Sequence, residues 1–258
     1  MLSESKIAYN RIIGVLTLNF SILTRTHGFV PDYPYTDCFI DSRYFDEIVI
    51  VKVDNSTSER DVNLYRDAVE RLMRKVALPL TLGGSITTFN DACLRFEWGA
   101  DRILLGETML GQTKEVKRLI SLFGSQALIA CINYYSSKLE LSDSYRKKTV
   151  NTALRYQDMG VGEILFSAID KDGNLQGMDN FLARQLESTP IGLPVVLNGG
   201  LGNWLHIEEA FESKKISGVC TSNILHLTTT SVRSMKQALI SRGGKFRSNW
   251  QSEAGALH

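Results

Sequence analysis

The sequence is poor in several features, and each scarcity argues against a class of protein. Its four cysteines (Cys38, Cys93, Cys131 and Cys220) are scattered without a CxxC pair, which predicts reduced, buried thiols instead of a disulfide framework or a zinc site. The formal net charge is only +1, which argues against electrostatic binding of nucleic acid or of anionic membranes. The N-terminal segment lacks an apolar signal region and no 18-residue apolar run occurs, so we expect a cytoplasmic protein.

Motifs that bind cofactors or build a nucleophile are also missing. There is no Gly-x-Gly-x-x-Gly or Walker sequence, and no Ser/His/Asp or Cys/His arrangement stands out. The histidines are isolated, and only His27, in a long connection, is expected near a substrate. We therefore expect neither a cofactor nor a bound metal.

What the sequence does contain is a regular alternation of short β-branched runs and longer amphipathic stretches. The predicted strands are Ile12–Leu16, Glu47–Val53, Leu78–Leu82, Arg102–Leu105, Ala127–Ile132, Glu163–Ser167, Pro194–Leu197 and Gly218–Thr221. The predicted helices are Arg60–Val76, Phe89–Trp98, Thr113–Leu122, Tyr145–Met159, Trp204–Phe211 and Ser231–Ile240. Eight strands with helices between them predict a parallel sheet that closes on itself.

The length of 258 residues suits one such domain. We predict an α/β fold, a single (β/α)8 TIM barrel over residues 1–245, followed by a flexible tail over residues 246–258. Two connections are long, Asn19–Ser42 and Tyr134–Asp143, and long loops of this kind usually serve a site.

An internal repeat supports this architecture. At an offset of 116 positions, FDEIVIVKVD (Phe45–Asp54) aligns with VGEILFSAID (Val161–Asp170). At almost the same offset, LPLTLGGS (Leu78–Ser85) aligns with LPVVLNGG (Leu193–Gly200). Several elements in one register are hard to obtain by chance, so we predict a barrel built from two duplicated half-barrels.

Paired glycines follow equivalent strands in the two halves, Gly83-Gly84 and Gly199-Gly200. Glycine permits positive φ and a close backbone approach, so its N–H can point at an anion. Barrels often bind phosphate on the loops after their last two strands, where Ser222-Asn223 lies. A second site is predicted from Gly83-Gly84 with Gly106-Glu107-Thr108, where Glu107 would repel phosphate. The alternative is a tight turn at each glycine pair.

The segment IDKDGNLQGMD (Ile169–Asp179) places Asp170 and Asp172 in a Gly-rich loop over the barrel mouth. Carboxylates there can act as acid, base or hydroxyl ligand. The D-x-D-G spacing resembles half of a calcium loop, but no glutamate follows at the required distance. The alternative is that both aspartates only form turns.

Four charged residues of alternating sign lie at the N-terminal ends of strands: Arg11, Glu47, Arg102 and Glu163. They should converge on the barrel axis at the floor. Spacing alone leaves two interpretations open, a functional opening and a salt-bridge network that closes the floor.

Taken in order, these motifs resemble the cyclase subunit of imidazole glycerol phosphate synthase. The similarity runs from Arg11 to about Arg247, and it is strongest in the stretches NRIIGVLTLN, LPLTLGGSITTFNDACLRFEWGADRI, FGSQALIACIN, GVGEILFSAIDKDGNLQGMD and VVLNGGLGN. The resemblance implies a two-fold repeated barrel with a phosphate site in each half. It also implies a glutaminase docked at the N-terminal face, whose ammonia enters through a ring of four charged residues; Arg11, Glu47, Arg102 and Glu163 fall on that ring with their charge signs kept.

The resemblance also assigns binding residues. Those implied for phosphate or substrate are Arg25, Gly83, Gly84, Ser167, Asn198, Gly199, Gly200, Ser222 and Asn223. Arg25 would be the basic residue that contacts phosphate from the first loop.

The departures from the family pattern are concentrated in the reaction centre. Cyclase chemistry in the family depends on two aspartates, at the ends of the first and fifth strands, and Thr17 and Asn133 occupy these positions. Neither a hydroxyl nor a carboxamide can act as general acid or base near neutral pH. In addition, Lys52 replaces an acidic residue, and Gly106-Glu107 replaces the Asn-Thr of a phosphate loop.

The pattern is closer to paralogs of this cyclase from bacterial surface-polysaccharide gene sets. These act with a glutaminase and a separate sugar amidotransferase that converts an N-acetyl group into an acetamidino group. The favoured hypothesis is therefore an ammonia-channelling subunit of a glutamine-dependent amidotransferase. The alternatives are a working cyclase of histidine biosynthesis that uses Asp170 or Asp172 as catalytic residues, and a catalytically silent scaffold that binds a phosphosugar.

Overall fold

The computed structural model describes residues 9–36, 44–74, 77–222 and 232–247, and within these ranges eight parallel strands close into a barrel. In chain order the strands are β1 (Arg11–Asn19), β2 (Ile22–His27), β3 (Val30–Pro34), β4 (Glu47–Lys52), β5 (Leu80–Gly83), β6 (Arg102–Leu105), β7 (Leu128–Tyr134), β8 (Glu163–Ala168), β9 (Val195–Asn198) and β10 (Ile216–Thr221). All except β2 and β3 belong to the barrel, which β10 closes by pairing with β1. The predicted (β/α)8 fold and all eight predicted strands are confirmed, with ends shifted by a few residues.

Helices surround the barrel. They are α1 (Glu59–Met73), α2 (Phe89–Glu97), α3 (Glu107–Leu110), α4 (Thr113–Phe123), α5 (Ser136–Leu141), α6 (Asp143–Met159), α7 (Asn180–Glu187), α8 (Trp204–Ala210) and α9 (Val232–Ser241). The six predicted helices are present, although α1 ends before the predicted Val76, which lies outside the described residues along with Ser231. Three shorter helices, α3, α5 and α7, were not predicted, because segments of four to eight residues carry little periodicity. No helix that the described residues form is long and apolar enough to cross a membrane.

The strand register repeats between the two halves. Ile13 pairs with Glu47 in the first half, and Ile129 pairs with Glu163 in the second, so both partners are displaced by the same 116 positions. Thr17 and Asn133 likewise face Val51 and Ser167 at the upper ends of these strand pairs. The duplicated half-barrel predicted from the sequence is therefore visible in the hydrogen-bond ladder itself.

Two aspartates at matched positions hold the long connections of the two halves. Asp54 accepts a hydrogen bond from the backbone N–H of Phe20 at 2.8 Å, and Asp170 accepts one from Ser136, 116 positions later, also at 2.8 Å. Asp170 accepts a second from Ser137 at 2.9 Å. Each carboxylate therefore ties the segment that follows the first strand of its half to the end of the second strand.

The first long connection is folded in part, which corrects its prediction as a loop. Residues 22–34 form the antiparallel hairpin β2–β3, which sequence reasoning missed because Pro31 and Pro34 interrupt the strand pattern. Its tip reaches across the barrel mouth, where the N–H groups of Gly28 and Phe29 donate to the backbone carbonyl and the carboxylate of Asp172 at 3.1 and 2.9 Å. The hairpin is thereby latched to the loop after β8.

Near the C-terminus, Phe246 is buried and packs edge-to-face on Phe211, with ring centroids 5.6 Å apart. The backbone carbonyl of Lys245 accepts a hydrogen bond from Asn10 at 3.0 Å. Phe246 thus belongs to the packed domain although the predicted tail began there. The rest of that segment, residues 248–258, lies outside the described part of the chain, and its flexibility stays a prediction.

The carboxylate of Asp54 should make stability depend on pH. Burial opposes its ionisation, but hydrogen bonds from Lys52, Ser56 and Phe20 lower its pKa to about 2. A carboxyl whose pKa is depressed by folding stabilises the native state above its unfolded pKa and loses that effect as the pH falls through the folded value. The melting temperature of the wild type should exceed that of Asp54→Asn at pH 7, and the gap should close as the pH falls from about 4 to about 2.

The control for this measurement is Asp67→Asn, on the exposed face of α1, which should melt like the wild type throughout. A gap between wild type and Asp54→Asn that stays constant down to pH 2 would mean that the ionised carboxylate does not hold this connection.

Candidate functional site

The barrel floor carries a closed ring of four charged side chains, Arg11, Glu47, Arg102 and Glu163, hereafter the charged ring. Each arginine bridges both glutamates. Arg11 Nη1 lies 2.7 Å from Glu47 Oε1, Arg102 Nη1 lies 3.1 Å from Glu47 Oε2, and the Nη2 atoms of both arginines contact the two oxygens of Glu163. The sequence predicted this convergence, and the structure brings all four residues together.

All four side chains of the charged ring are largely shielded from solvent, and Glu163 is only 2% exposed. Burial alone would lower the pKa of Arg11, but the hydrogen bond and charge of Glu163, together with Glu47, raise that pKa above its ordinary value. Ser217 adds a hydrogen bond from Arg11 Nη2 to its Oγ at 3.0 Å. The ring is therefore a salt-bridge network that closes the lower end of the barrel axis.

Above the charged ring the barrel interior is apolar. Side chains at every second strand position face inward, so on β1 the sequence runs upward from Arg11 through Ile13 and Val15 to Thr17. The interior cluster comprises Ile13, Val15, Val49, Leu104, Ile129, Leu165, Val196 and Cys220, with Val51 and Cys131 packed against it. A neutral small molecule can cross such a layer far more easily than an ion can.

The interior opens upward into a cavity of about 390 Å³ at the C-terminal ends of the strands, where barrels carry their active sites. Val15, Val49, Leu104 and Leu165 belong to both the interior cluster and the cavity wall, so the cavity floor is the top of the apolar layer. Its polar lining residues include Thr17, Thr26, Lys52, Ser85, Thr87, Asn133, Ser167, Asp172, Asn198 and Ser222.

Thr17 and Asn133 occupy matched positions in the cavity wall. The hydroxyl of Thr17 donates to the backbone carbonyl of Thr24 in the hairpin, and the thiol of Cys131 donates to Asn133 Oδ1 at 3.3 Å. Neither side chain can exchange a proton near neutral pH. The central pair of the cavity therefore holds hydrogen bonds but offers no acid or base.

The ionisable groups that line the cavity are already engaged or neutral. Lys52 Nζ donates to Asp54 and to the carbonyl and hydroxyl oxygens of Ser56, the last two at 2.7 and 3.0 Å. Burial raises the pKa of the Cys131 thiol to about 12, which keeps it protonated. Asp172 is the carboxylate in the described wall, and it holds Phe29 of the hairpin.

Asp170 does not line the cavity in the structure. Both of its oxygens accept backbone hydrogen bonds at the start of α5, from Ser136 and Ser137. Burial opposes ionisation, but these N–H groups lower its pKa. Of the two aspartates predicted as catalytic, the structure thus places Asp172 in the site and gives Asp170 a helix-capping contact; catalysis by either stays a prediction.

The sequence did not show which residues of the two glycine turns adopt positive φ. Gly84 and Ser85 have φ of +82° and +52°, and Gly199 and Gly200 have φ of +105° and +86°. Gly83 instead ends β5, so the turn matching Gly199-Gly200 is Gly84-Ser85. A Cβ on Gly84 would meet the backbone of Lys52 at 2.0 Å, which shows that close packing of chain on chain requires this glycine.

Beside Gly199-Gly200 lies a small cavity of about 20 Å³, hereafter the upper pocket, which shares Asp172, Asn198 and Ser222 with the large cavity. Ser167 Oγ accepts a hydrogen bond from Asn198 Nδ2 at 2.7 Å, so the ends of β8 and β9 are joined here. Thr221 also lines the upper pocket; sequence reasoning missed it, because nothing local distinguishes it from other strand residues. Asn223 lies outside the described residues.

Arg25 lies on the hairpin, where its guanidinium is shared between partners. Nη1 pairs with Asp32 at 2.6 Å and Nη2 donates to the carbonyl of Gly173 at 3.0 Å, next to the upper pocket. His27 lies at the end of β2 and is exposed. The phosphate role expected of Arg25 stays a prediction; in the structure it fastens the hairpin to the loop after β8.

Across the described residues, no group of three or more His, Cys, Asp or Glu side chains is arranged to hold a metal ion. Cys93, Cys131 and Cys220 are free thiols, and Cys38 lies outside the described ranges.

Substitution can distinguish a glycine that is needed only for its positive φ from one that also lies against another backbone segment. A Cβ on Gly199 would lie 2.8 Å from the carbonyl oxygen of Ala168, whereas a Cβ on Gly99, also at positive φ, meets nothing within 4 Å. We expect Gly99→Ala to cost about 1–2 kcal/mol of unfolding free energy, the cost of the backbone conformation alone. Gly199→Ala should cost about 2 kcal/mol more because of the added contact. Urea unfolding of both variants measures this, and equal losses would contradict it.

The geometry can be compared with known proteins. A family model described as histidine biosynthesis protein matches residues 37–231. Among curated relatives, the imidazole glycerol phosphate synthase subunit HisF of Methanocaldococcus jannaschii is 30% identical over 232 residues, which cover 80% of this chain and 84% of the relative. Proteins of the same name from Chlorobaculum parvum and Chlorobium phaeobacteroides are also 30% identical, over 80% and 81% of this chain and 83% and 85% of their own. The chain therefore belongs to the histidine biosynthesis protein family, as a HisF-like member.

Proposed function

We propose that this chain is the ammonia-conducting subunit of a glutamine-dependent amidotransferase complex and has lost the family's own cyclisation chemistry. One contrast carries the proposal: the charged ring at the floor is complete, whereas the matched pair Thr17 and Asn133 in the mouth cannot transfer protons. A barrel that only cyclised a substrate would need proton-transfer groups in the mouth and would not need a charged ring at the floor.

The axis of the barrel supports conduction. Ammonia is a small molecule that crosses an apolar layer as the neutral base, and the interior cluster between the charged ring and the mouth cavity is such a layer. The charged ring excludes the ammonium ion and water-borne ions by the same network that closes the floor. Passage would require one arginine to leave its glutamates, which a partner docked on the floor can bring about.

The partners follow from this role. We propose that a HisH-like glutaminase docks at the N-terminal face, beneath the charged ring, and that the ammonia leaves through the mouth cavity. The acceptor would be an amino sugar that a separate sugar amidotransferase converts into its acetamidino form for a surface polysaccharide such as lipopolysaccharide. A phosphorylated small molecule is proposed for the mouth, at Arg25, Gly83, Gly84, Ser167, Asn198, Gly199, Gly200, Ser222 and Asn223.

A second candidate is a working cyclase subunit in histidine biosynthesis, a lyase. The names of the relatives and the length of the match favour it. Asp172 would then be the acid or base, because it is the carboxylate of the described cavity wall. Loss of two positioned proton-transfer groups, each worth on the order of 10²–10⁴-fold in rate, argues against it.

The two candidates are separated by direct assay of the chain with free ammonia and phosphoribulosyl-formimino-aminoimidazole nucleotide. We expect no detectable imidazole glycerol phosphate, because neither Thr17 nor Asn133 can serve as acid or base. A histidine-pathway cyclase assayed in parallel is the positive control. Turnover within about tenfold of that control would restore the cyclase assignment.

Conduction itself is tested in the complex reconstituted with the glutaminase and amidotransferase of the same gene neighbourhood. Arg102→Ala and Glu163→Ala open the charged ring, so ammonia should escape and the ratio of glutamate formed to amidated product should rise severalfold. Arg118→Ala, which removes an exposed pair with Glu115, is the matched control and should leave the ratio unchanged. Normal coupling in both ring variants would rule out the gate.

A third outcome distinguishes the scaffold hypothesis. If the chain neither binds nor activates the glutaminase, and the full set of proteins makes no ammonia-dependent product, the barrel has no part in ammonia transfer. Binding of a sugar phosphate without either activity would then identify it as a silent binding module.

A further inference from the structure

On β7 the apolar interior of the barrel ends at two hydrogen-bonding side chains. Cys131 packs against the interior cluster and also lines the mouth cavity, and Asn133, two positions further up the strand, lines the same cavity. Successive side chains of a strand alternate between its two faces, so both residues point to the barrel axis. They are therefore among the first polar groups that a molecule leaving the apolar layer meets.

The thiol of Cys131 fixes the direction of the Asn133 amide. Its Sγ lies 3.3 Å from Asn133 Oδ1. Burial raises the pKa of this thiol to about 12, so it keeps its proton and can donate it. A donating thiol is satisfied only by the amide oxygen, because the amide nitrogen carries two hydrogens and does not accept. Asn133 Oδ1 therefore binds the thiol, and the hydrogens on Nδ2 are left for another partner.

The amide nitrogen of Asn133 is open to a ligand. Within the described ranges the side chain makes no hydrogen bond other than that with Cys131, and it is exposed to the cavity. The matched residue of the first half, Thr17, is 7% exposed and donates its hydroxyl hydrogen to the carbonyl of Thr24. The second half thus presents an open donor, whereas the donor of the first half is already used.

The strand position beside Asn133 is neutral as well. Ser167 pairs with it on β8, and the Ser167 hydroxyl accepts a hydrogen bond from Asn198 at 2.7 Å. The carboxylate in the described cavity wall, Asp172, lies beyond the end of β8, where the N–H of Phe29 donates to it. A cation next to the Asn133 amide would therefore face N–H hydrogens and a neutral hydroxyl at the level of these strands.

Ammonia and ammonium differ in whether such a group can bind them. Neutral ammonia has a lone pair that accepts a hydrogen bond, whereas ammonium has only N–H donors, so an open amide N–H attracts the first and repels the second. We infer that the Asn133 amide, oriented by Cys131, is a binding site for neutral ammonia at the upper end of the apolar layer and excludes ammonium there. The inference rests on the proposed function in one respect, since ammonia must reach the mouth.

The site is tested first on the chain alone, by carbon NMR with ammonium chloride as the probe. The protein is labelled at its asparagine side-chain carbonyls, and the Asn133 signal is assigned by its loss in Asn133→Asp. At constant total ammonia, a rise from about pH 7 to about pH 9 increases the neutral base. The Asn133 signal should then move saturably, and sodium chloride should leave it in place. The signal of Asn151, exposed on α6, is the matched control and should not move.

An equal response at the two pH values would mean that ammonium binds as well, and no response at either would mean that neither species binds; both results overturn the inference. Cys131→Ala, checked for folding by thermal melting, should reduce the difference between the two pH values. Without the thiol the amide can turn its oxygen to ammonium. An unchanged difference in Cys131→Ala would overturn the orientation on which the site depends.

The second test uses the complex reconstituted with the glutaminase and amidotransferase. Asn133→Asp keeps the shape of the side chain but attracts ammonium, so the ratio of glutamate formed to amidated product should rise severalfold. Asn151→Asp makes the same change on the exposed face of α6 and should leave the ratio unchanged. If Arg102→Ala uncouples the complex and Asn133→Asp does not, the ammonia site is refuted and the channel stands. If neither does, conduction itself is refuted, and the carbon signal of Asn133 alone decides the site.

Discussion

The hydrogen-bonded pairing of β10 with β1 is the constraint on which the rest of the structure depends. Once Arg11 faces Gly218 and the ladder closes, every second side chain of each strand must point to the axis. That sorting places Arg11 and Glu163 at the floor, apolar side chains above them, and Thr17 and Asn133 at the mouth. The charged ring, the apolar interior cluster and the mouth cavity are therefore successive layers of one packed interior, and no layer can be shifted without changing the register of the whole barrel.

Because the barrel is duplicated, the contacts of each residue can be compared with those of the matched residue in the other half. Where matched residues make the same contact, as Asp54 and Asp170 do with the connections that follow β1 and β7, the contact serves the fold. Where matched positions differ in chemistry, as Leu105 and Thr221 do, the backbone register is the same, so the shared fold does not account for the difference. By this comparison the contact of Asp170 with the start of α5 belongs to the fold, as that of Asp54 does, while its catalytic role stays a prediction.

Much of this was accessible from the sequence, for physical reasons. Strands such as Glu47–Lys52 are buried on both faces and read as continuous apolar runs, and ionic residues at their first positions must meet at the floor. Side-chain direction and partner choice in the loops were not accessible. The hairpin β2–β3 was hidden by its prolines, and the partners of Asp170 lie 33 and 34 residues away along the chain. Which residue of Gly83-Gly84 takes the positive φ was likewise not accessible, since it depends on the close approach of the backbone of Lys52 to Gly84.

The floor and the mouth of the barrel differ in the kind of polar side chains that they carry. A largely buried ring of salt bridges is costly to assemble and gains little stability over apolar packing, so its completeness is not explained by the fold alone. The mouth shows the reverse: Lys52 is neutralised by Asp54, Cys131 stays protonated, and the matched pair Thr17 and Asn133 only donates or accepts hydrogen bonds. Under the proposed function, this combination is that of a barrel that passes ammonia from the charged ring through the apolar interior and does not itself cyclise a substrate. The acceptor of that ammonia would then be activated by groups of the proposed sugar amidotransferase and not by Thr17 or Asn133 of this chain.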